Sequence, residues 1–560
     1  MDNQRTILWL ALVFVSLLMW QAWQHDYGPQ SRSASSTTAG EASSAKPSDV
    51  PELSGSQGQV KPQPNAEGKP QTLAAKESTA QVLKSAGRVH VVTDVMDVQI
   101  DTLGGDLRQV KLPGYPVSVK EPQVPLTLLS DDPKNLFVAQ TGLLSHEPAP
   151  DHHTVYTADK TEYRLANGAD SLKVALHWTD PKGITVTKVY TFHRNSYLVD
   201  LDYTITNHSK ALWQGRQYRQ YQRSRVKAKS RFVRTFIGAA LYSKEDKYQK
   251  ISFDEMGNEN LSRDIKGGWG AMVQHYFTAA WIPQQDAVNH YYTKALPDDR
   301  YVIGLISPSI EVAPGASGTM STRAYVGPKV QDRLEKATPG LELTIDYGVL
   351  TFLAKPIFWL LMYIHSLVNN WGFSIILLTM TIKVLFYKLS EASYKSMANM
   401  RRMQPKITAL RERYGDDRQK MSQAMMEMYK KEKVNPLGGC LPILVQIPVF
   451  ISLYWVLLES VELREAPFIL WIHDLTSRDP YYVLPLIMGA SMFTQQKLNP
   501  PPPDPLQAKI LSFLPVIMTA FFALFPAGLV LYWVTNNVLS ISQQAYIYRK
   551  FGKPVPHANK

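Results

Sequence analysis

Residues 371–387 read WGFSIILLTMTIKVLFY, and Lys383 is the one charge in that run. A stretch this long and apolar has the signature of a membrane span, where a cation at bilayer-centre depth costs ~2.5–3.5 kcal/mol. Thr379 precedes Lys383 by one turn, on the same helix face. Polar groups recur in other apolar stretches: Gln446; Ser491, Thr494 and Gln495; Ser512 and Thr519. The last stretch carries Trp533, Asn537, Ser540 and Gln544 at i, i+4, i+7 and i+11, with Asn536 and Gln543 beside that stripe. The chemistry open to such a set is not covalent. A cation grouped with hydroxyls and amides inside a membrane holds water, or attracts acidic and polar segments of another chain. No Asp or Glu lies in these C-terminal stretches to neutralise Lys383. Two bland readings compete. Lys388 is about five residues away, ~8 Å of helix, so the Lys383 stem can snorkel to that interface. Each Ser, Thr, Asn or Gln taken singly is an interhelical hydrogen-bonding group worth ~0.6 kcal/mol.

Positioning these residues requires helices that cross a bilayer. Mean hydropathy over all 560 residues is slightly negative, but the apolar runs cluster at the N-terminus and after about residue 349. Residues 6–24 would form ~28 Å of helix, close to the hydrocarbon thickness. Their C-terminal flank is bulky and offers no small-x-small cleavage site, so residues 1–26 read as an uncleaved anchor with Trp20 and Trp23 at the outer interface. Further spans are expected near 371–388, 437–458, 481–498, 510–525 and 528–548, six in all. Pro526-Ala527-Gly528 makes the last two a tight hairpin. A straight helix from 357 to 387 would be ~46 Å long, too much for one crossing, so 346–370 reads as an interfacial amphipathic helix.

The chain carries a formal net charge of +12. Residues 388–433 hold 12 Lys and Arg against 6 Asp and Glu, and the tail 549–560 adds four cations. Residues 459–479 hold 5 acids against 2 Arg. The positive-inside rule therefore puts the two basic segments and both termini in the cytoplasm, and the acidic loop outside. Between the expected spans at 371–388 and 437–458, segment 389–434 has helical patterning. It reads as two antiparallel helices, 390–414 and 417–433, with Gly415 ending the first and Pro405 kinking it. Met400, Met403, Leu410, Met421, Met425 and Met428 would form their seam. Arg401, Arg402, Lys406, Arg411, Arg413, Arg418, Lys430 and Lys431 are its candidates for electrostatic recruitment.

Residues 27–87 are rich in Ser, Ala, Gln, Pro, Gly and Lys and read as a disordered tether. From 88 to 345 the period changes to two. Runs 89–100, 172–178, 184–192, 198–205, 301–310 and 320–326 are candidate strands, and Asp180-Pro181-Lys182-Gly183 is a turn. This is one mostly antiparallel domain, read as a large sandwich. Cys440 is the only cysteine, so no disulfide staples it. The scattered histidines show no zinc spacing, and neither a metal nor a cofactor is expected. Gly315-Ala316-Ser317-Gly318 imitates a nucleophile motif but follows Pro314, and reads as a turn.

Three stretches carry a resemblance: KVNPLGGCLPILVQIPVFISLYW (433–455), APFILWIHDL with DPYYVLP (466–485), and FPAGLVLYWVTNN (525–537). They closely resemble the YidC membrane protein insertases, and the N-terminal MDNQRTILWLALVFVSLLMWQAW with the β domain resembles the Gram-negative type. The resemblance implies a polytopic α-helical membrane protein with a five-helix insertase core and an all-β (β-supersandwich) periplasmic domain. It implies a hydrophilic groove, closed to the periplasm, in which Lys383 stands where the family has an arginine. Lys keeps the charge but loses the planar fork. Thr379 matches a family groove position, and Trp533 falls where the family has a substrate-facing aromatic. Lys383, Thr379, Gln446, Trp533 and Asn537 are thus the expected groove residues. The expected activity is non-enzymatic insertion and chaperoning of inner-membrane proteins, alone and with the Sec translocon. Partners would be nascent chains, the translocon and its accessory subunits, the ribosome and lipids. The alternative is a secondary transporter using Lys383 as a substrate or ion site, against which no internal repeat is found.

Overall fold

The computed structural model describes residues 49–52, 82–226, 235–415, 417–432, 441–499 and 505–551. The expected anchor, nearly all of the tether, the start of the span expected from 437 and the tail from 552 lie outside the described residues. The described chain forms two compact units that divide between Ile345 and Asp346.

In the first unit the period-two runs build two sheets. In an eleven-stranded sheet, Trp213–Ser224 pairs antiparallel with Phe137–Ser145 and Arg300–Ile306. In a nine-stranded sheet, Leu198–Asn207 lies between Ile184–His193 and Ser317–Pro328. Leu198–Asn207 buries every second residue, as a strand with one face on a core must. The turn at 180–183 closes through the Gly183 N–H donating to the Asp180 carbonyl at 3.0 Å, with Gly183 at φ +98°. Gly315 has φ +76° and the Ala316 N–H donates to the Ala313 carbonyl at 3.0 Å, so the motif expected as a turn is a turn at Gly315-Ala316 and the first two residues of the strand Ser317–Pro328. Two expected strands are divided. Run 89–100 is a hairpin of Arg88–Val92 and Asp97–Asp101, because the Thr93 hydroxyl accepts from the N–H groups of Val95 (3.3 Å) and Met96 (3.0 Å) and reverses the chain. Run 301–310 ends at Ile306 and resumes as Ile310–Val312, with Pro308 unable to donate to a ladder between them.

Trp213, Trp269 and Trp281 are fully buried, and Tyr221 stacks on Trp281 at 5.3 Å. Lys188 is buried as well. Its Nζ donates to the Gly104 carbonyl at 2.8 Å and lies 5.3–5.7 Å from the rings of Tyr156, Tyr190 and Tyr203. Desolvation lowers its pKa to about 7, although Asp106 opposes the shift. The unfolded chain, with Lys near 10.4, therefore binds a proton that the folded domain lacks between those values. Stability should rise with pH across that window. Urea unfolding followed by Trp fluorescence should show a rise of about 1 kcal/mol per pH unit between about pH 7.5 and 9.5. In Lys188→Met that slope should disappear; an unchanged slope would assign it to other groups.

In the second unit the helices are α1 (Thr351–Val368), α2 (Trp371–Leu385), α3 (Tyr387–Arg402), α4 (Gln404–Tyr414), α5 (Arg418–Lys431), α6 (Leu441–Glu459), α7 (Val483–Leu498), α8 (Pro505–Phe522) and α9 (Ala527–Phe551). Residues 348–368 are long and apolar enough to cross a bilayer, and α2 and α3 meet at a bend of 69°. The expected helix 390–414 is two helices. Pro405 does more than kink it: the chain breaks at Met403, and Pro405 sits in the first turn of α4, where its missing N–H costs nothing. Gly415 is not a left-handed cap, having φ −52° and ψ −35°. Asp417 starts α5 instead, its carboxylate accepting from the N–H groups of Gln419 and Lys420. Met403, Ile407 and Met425 form the seam, with Met400, Leu410, Met428 and Tyr429 packed against it.

Candidate functional site

Helix α2 is fixed from its N-terminus. Asn370 caps it, its Oδ1 accepting from the Phe373 N–H at 3.0 Å, while its Nδ2 donates to the Phe468 carbonyl at 3.1 Å. Phe468 belongs to the loop 460–482 between α6 and α7. That loop is fastened to the start of α9 by two backbone bonds, Ala527 N–H to the Ser477 carbonyl (2.7 Å) and Gly528 N–H to the Leu475 carbonyl (2.9 Å). Within the loop the buried Asp479 accepts from the Trp471 indole (2.9 Å) and from the backbone N–H groups of Tyr481 (3.0 Å) and Leu484 (2.7 Å), which caps α7. One end of the helical unit is thus tied together by hydrogen bonds.

Lys383 lies near the other end of α2 and is half-buried. Its Nζ donates to the Ser540 Oγ of α9 at 2.7 Å, and Ser540 Oγ donates in turn to the Asn536 carbonyl at 2.6 Å. Gln446 of α6 donates through Nε2 to Asn536 Oδ1. Three helices therefore contribute to one polar line, from Lys383 through Ser540 and Asn536 to Gln446. Its only cation has a neutral hydroxyl as its hydrogen-bond partner, and among the described residues no carboxylate pairs with it. Thr379 is buried, and its hydroxyl donates to the Ile375 carbonyl at 2.6 Å within its own helix.

The polar stripe on α9 divides between two neighbours. Asn537 Nδ2 donates to Ser491 Oγ of α7 at 3.0 Å, and Gln544 donates to Asn499 Oδ1 just past α7 at 2.9 Å and to the Tyr548 hydroxyl at 3.0 Å. Asn537 and Gln544 are thus tied to the α7 side, away from the Lys383 line. Trp533 meets Phe450 of α6 edge-to-face at 4.7 Å and Phe522 of α8 at 4.9 Å. Asn536, beside the expected stripe, is the residue that joins Gln446 to Ser540. The 100° step of a helix separates it from Asn537, and that step was its only sequence signal.

Among the recruitment candidates, several have partners of their own. Lys406 pairs with Glu432 at 2.5 Å, joining α4 to the end of α5. The Arg401 guanidinium lies over the Tyr548 ring of α9 at 5.9 Å, and Arg413 over Tyr414 at 5.5 Å. Arg402, Lys430 and Lys431 are exposed at the ends of α3 and α5. Arg411 lies in α4, and Arg418 opens α5.

Residues 88–360 match the family model for the YidC periplasmic domain, and residues 363–554 match that of the 60Kd inner membrane protein. A membrane protein insertase YidC from Methylococcus capsulatus is 51% identical over 100% of both chains. The chain belongs to the YidC family of membrane protein insertases. YidC relatives from Nitrosococcus oceani (50% identical over 98% of this chain and 99% of theirs) and Thioalkalivibrio sulfidiphilus (48% over 99% of each) agree. A crystal structure of an active YidC insertase aligns over 82% of this chain and 93% of its own at 18% identity and a TM-score of 0.39. In YidC terms the β unit is the periplasmic domain, and the helical unit is the inner-membrane part that carries Lys383.

Proposed function

We propose that this YidC-family insertase receives nascent inner-membrane proteins in a groove centred on the Lys383–Ser540–Asn536–Gln446 line, without covalent chemistry. The observation that carries this reading is the bonding of Lys383. Its ammonium holds one neutral hydroxyl where the flanking polar groups Asn537 and Gln544 are committed to α7. A half-buried cation with spare donors attracts the acidic or polar tail of an arriving chain and lowers the desolvation barrier to its entry. Apolar faces, Trp533 among them, then pass the hydrophobic segment to lipid, driven by burial of apolar area and by the membrane potential.

In this reading both termini and the basic hairpin α3–α5 face the cytoplasm, with 346–370 lying at the outer interface. The exposed Lys430 and Lys431 meet the ribosome or anionic lipids, whereas Lys406 joins α4 to α5 and Arg401 packs the hairpin against α9. Work with the Sec translocon and its accessory subunits belongs to the same proposal. Photocrosslinkers at 383, 446 and 536 should capture a stalled nascent chain, and those at 537 and 544 should capture it far less. Equal capture from all five positions would dismiss the line as the substrate path.

A further inference from the structure

In the β unit, Asp49, His152 and His153 bring their ligating atoms within 4.8 Å of one another. His153 Nε2 lies 2.9 Å from Asp49 Oδ1, and His152 Nε2 lies 3.3 Å from Asp49 Oδ2. Ligands of a tetrahedral Zn²⁺ with ~2.0–2.1 Å bonds are ~3.3 Å apart, so these spacings suit one ion. His152 is 1% exposed, and its buried Nε2 faces into the cluster with Asp49 Oδ2, at 3.3 Å, as its neighbour there. Its other ring nitrogen, Nδ1, is held by the Tyr218 hydroxyl at 2.5 Å, and the same hydroxyl takes the His152 backbone N–H at 3.0 Å. That arrangement engages Nδ1 and orients the ring so that Nε2 faces the cluster, as the outer partner of a metal-binding histidine does.

The loop that presents the two histidines is built rigidly. Asp151 Oδ1 accepts from the His153 N–H at 2.9 Å and from the Thr154 hydroxyl at 2.9 Å. Gly104, at φ +79°, lies directly against His152, where a Cβ would come within 2.5 Å of the His152 carbonyl oxygen. Asp49 arrives from the segment that reads as tether. It is held on the domain by the Gln220 amide donating to its carbonyl at 3.1 Å, and by Val50 packing against Leu144, Tyr218 and Ile306.

We propose that Asp49, His152 and His153 bind one borderline divalent cation of the Zn²⁺ class, which clips the tether onto the periplasmic domain. Imidazole and carboxylate donors suit Zn²⁺, and three protein ligands leave a fourth position for water. The clip joins residues 104 apart in sequence, which is the kind of long-range closure that constrains an unfolded chain most.

The test uses full-length, tag-free protein in detergent, stripped by a chelator and titrated with Zn²⁺ against a chromophoric zinc indicator. One equivalent should bind, and Zn²⁺ should raise the Tm. Asp49→Asn and His153→Ala should weaken binding at least tenfold and abolish the Tm shift. Both positions lie outside the sandwich core, and circular dichroism should confirm that these variants fold. Tyr218→Phe should weaken binding ~10–100-fold. His146→Ala, an exposed histidine of the preceding segment, should bind as the wild type does. Failure of the wild type to bind, or equal affinity in all variants, would overturn the proposal and leave Asp49 as an ion-pair partner of the two imidazoles.

Discussion

Replacing Lys383 with Ala should slow insertion of a substrate with an acidic translocated tail by about tenfold or more. Lys383→Glu should slow it further, and Lys383→Arg should stay near the wild-type rate. Two unit charges 4 Å apart at an effective dielectric of about 20 interact by ~4 kcal/mol. Realising a third of that in the groove is already worth about tenfold. The substitution leaves its surroundings intact, because the Ser540 hydroxyl keeps its bond to the Asn536 carbonyl when the ammonium goes. A folding defect is therefore not the expected route to loss. A substrate with a neutral tail is the internal control, and it should be affected much less by Ala. Rates are measured in proteoliposomes by protease protection of the translocated tail. If all variants insert both substrates alike, the lysine is only an interfacial anchor and the groove-cation reading falls.

The periplasmic sandwich was legible because alternation is a direct record of which side of a strand is buried. Leu198–Asn207 shows it over the whole strand. The same rule could not locate the reversal at Thr93, since a hydroxyl accepting two backbone N–H groups leaves the β-branched composition unchanged. In the membrane part the helices and the uncompensated lysine were readable from apolarity and charge. Partners were not. A heptad-like stripe says that Trp533, Asn537, Ser540 and Gln544 lie near one another on a cylinder, but not which neighbouring helix each meets. Packing against α7 takes Asn537 and Gln544, while α2 meets Ser540 and α6 reaches Asn536. The Asp49 cluster was hidden for a different reason. Its ligands are separated by about a hundred residues, and no short spacing rule brings a tether aspartate to a loop of adjacent histidines.

Gly372→Val should destabilise the helical unit by ~1–3 kcal/mol or more, and the loss should be largely relieved by Phe468→Ala. A Cβ at 372 would fall 1.9, 2.3 and 2.6 Å from three ring atoms of Phe468. None of these contacts is with the end of a flexible side chain. The ring is held by edge-to-face contact with Phe373 at 5.3 Å. The Phe468 backbone is held too, its N–H donating to the Ile472 carbonyl at 2.9 Å and its carbonyl accepting from Asn370 at 3.1 Å. Displacing Phe468 therefore strains the bond through which Asn370 joins the loop to the start of α2. It also disturbs the loop that receives the Ala527 and Gly528 N–H groups. Thermal unfolding in detergent should show a strong non-additive coupling between positions 372 and 468, as expected for residues in direct contact. Additive effects would mean that the ring has another place to go. The same double variant separates two roles of the loop. If holding this end shut is what insertion needs, Gly372→Val should lose activity and gain ion leakage together, and Phe468→Ala should restore both. A variant that recovers stability but still leaks would show that the Phe468 ring itself, rather than the tied loop, seals the end of the bundle.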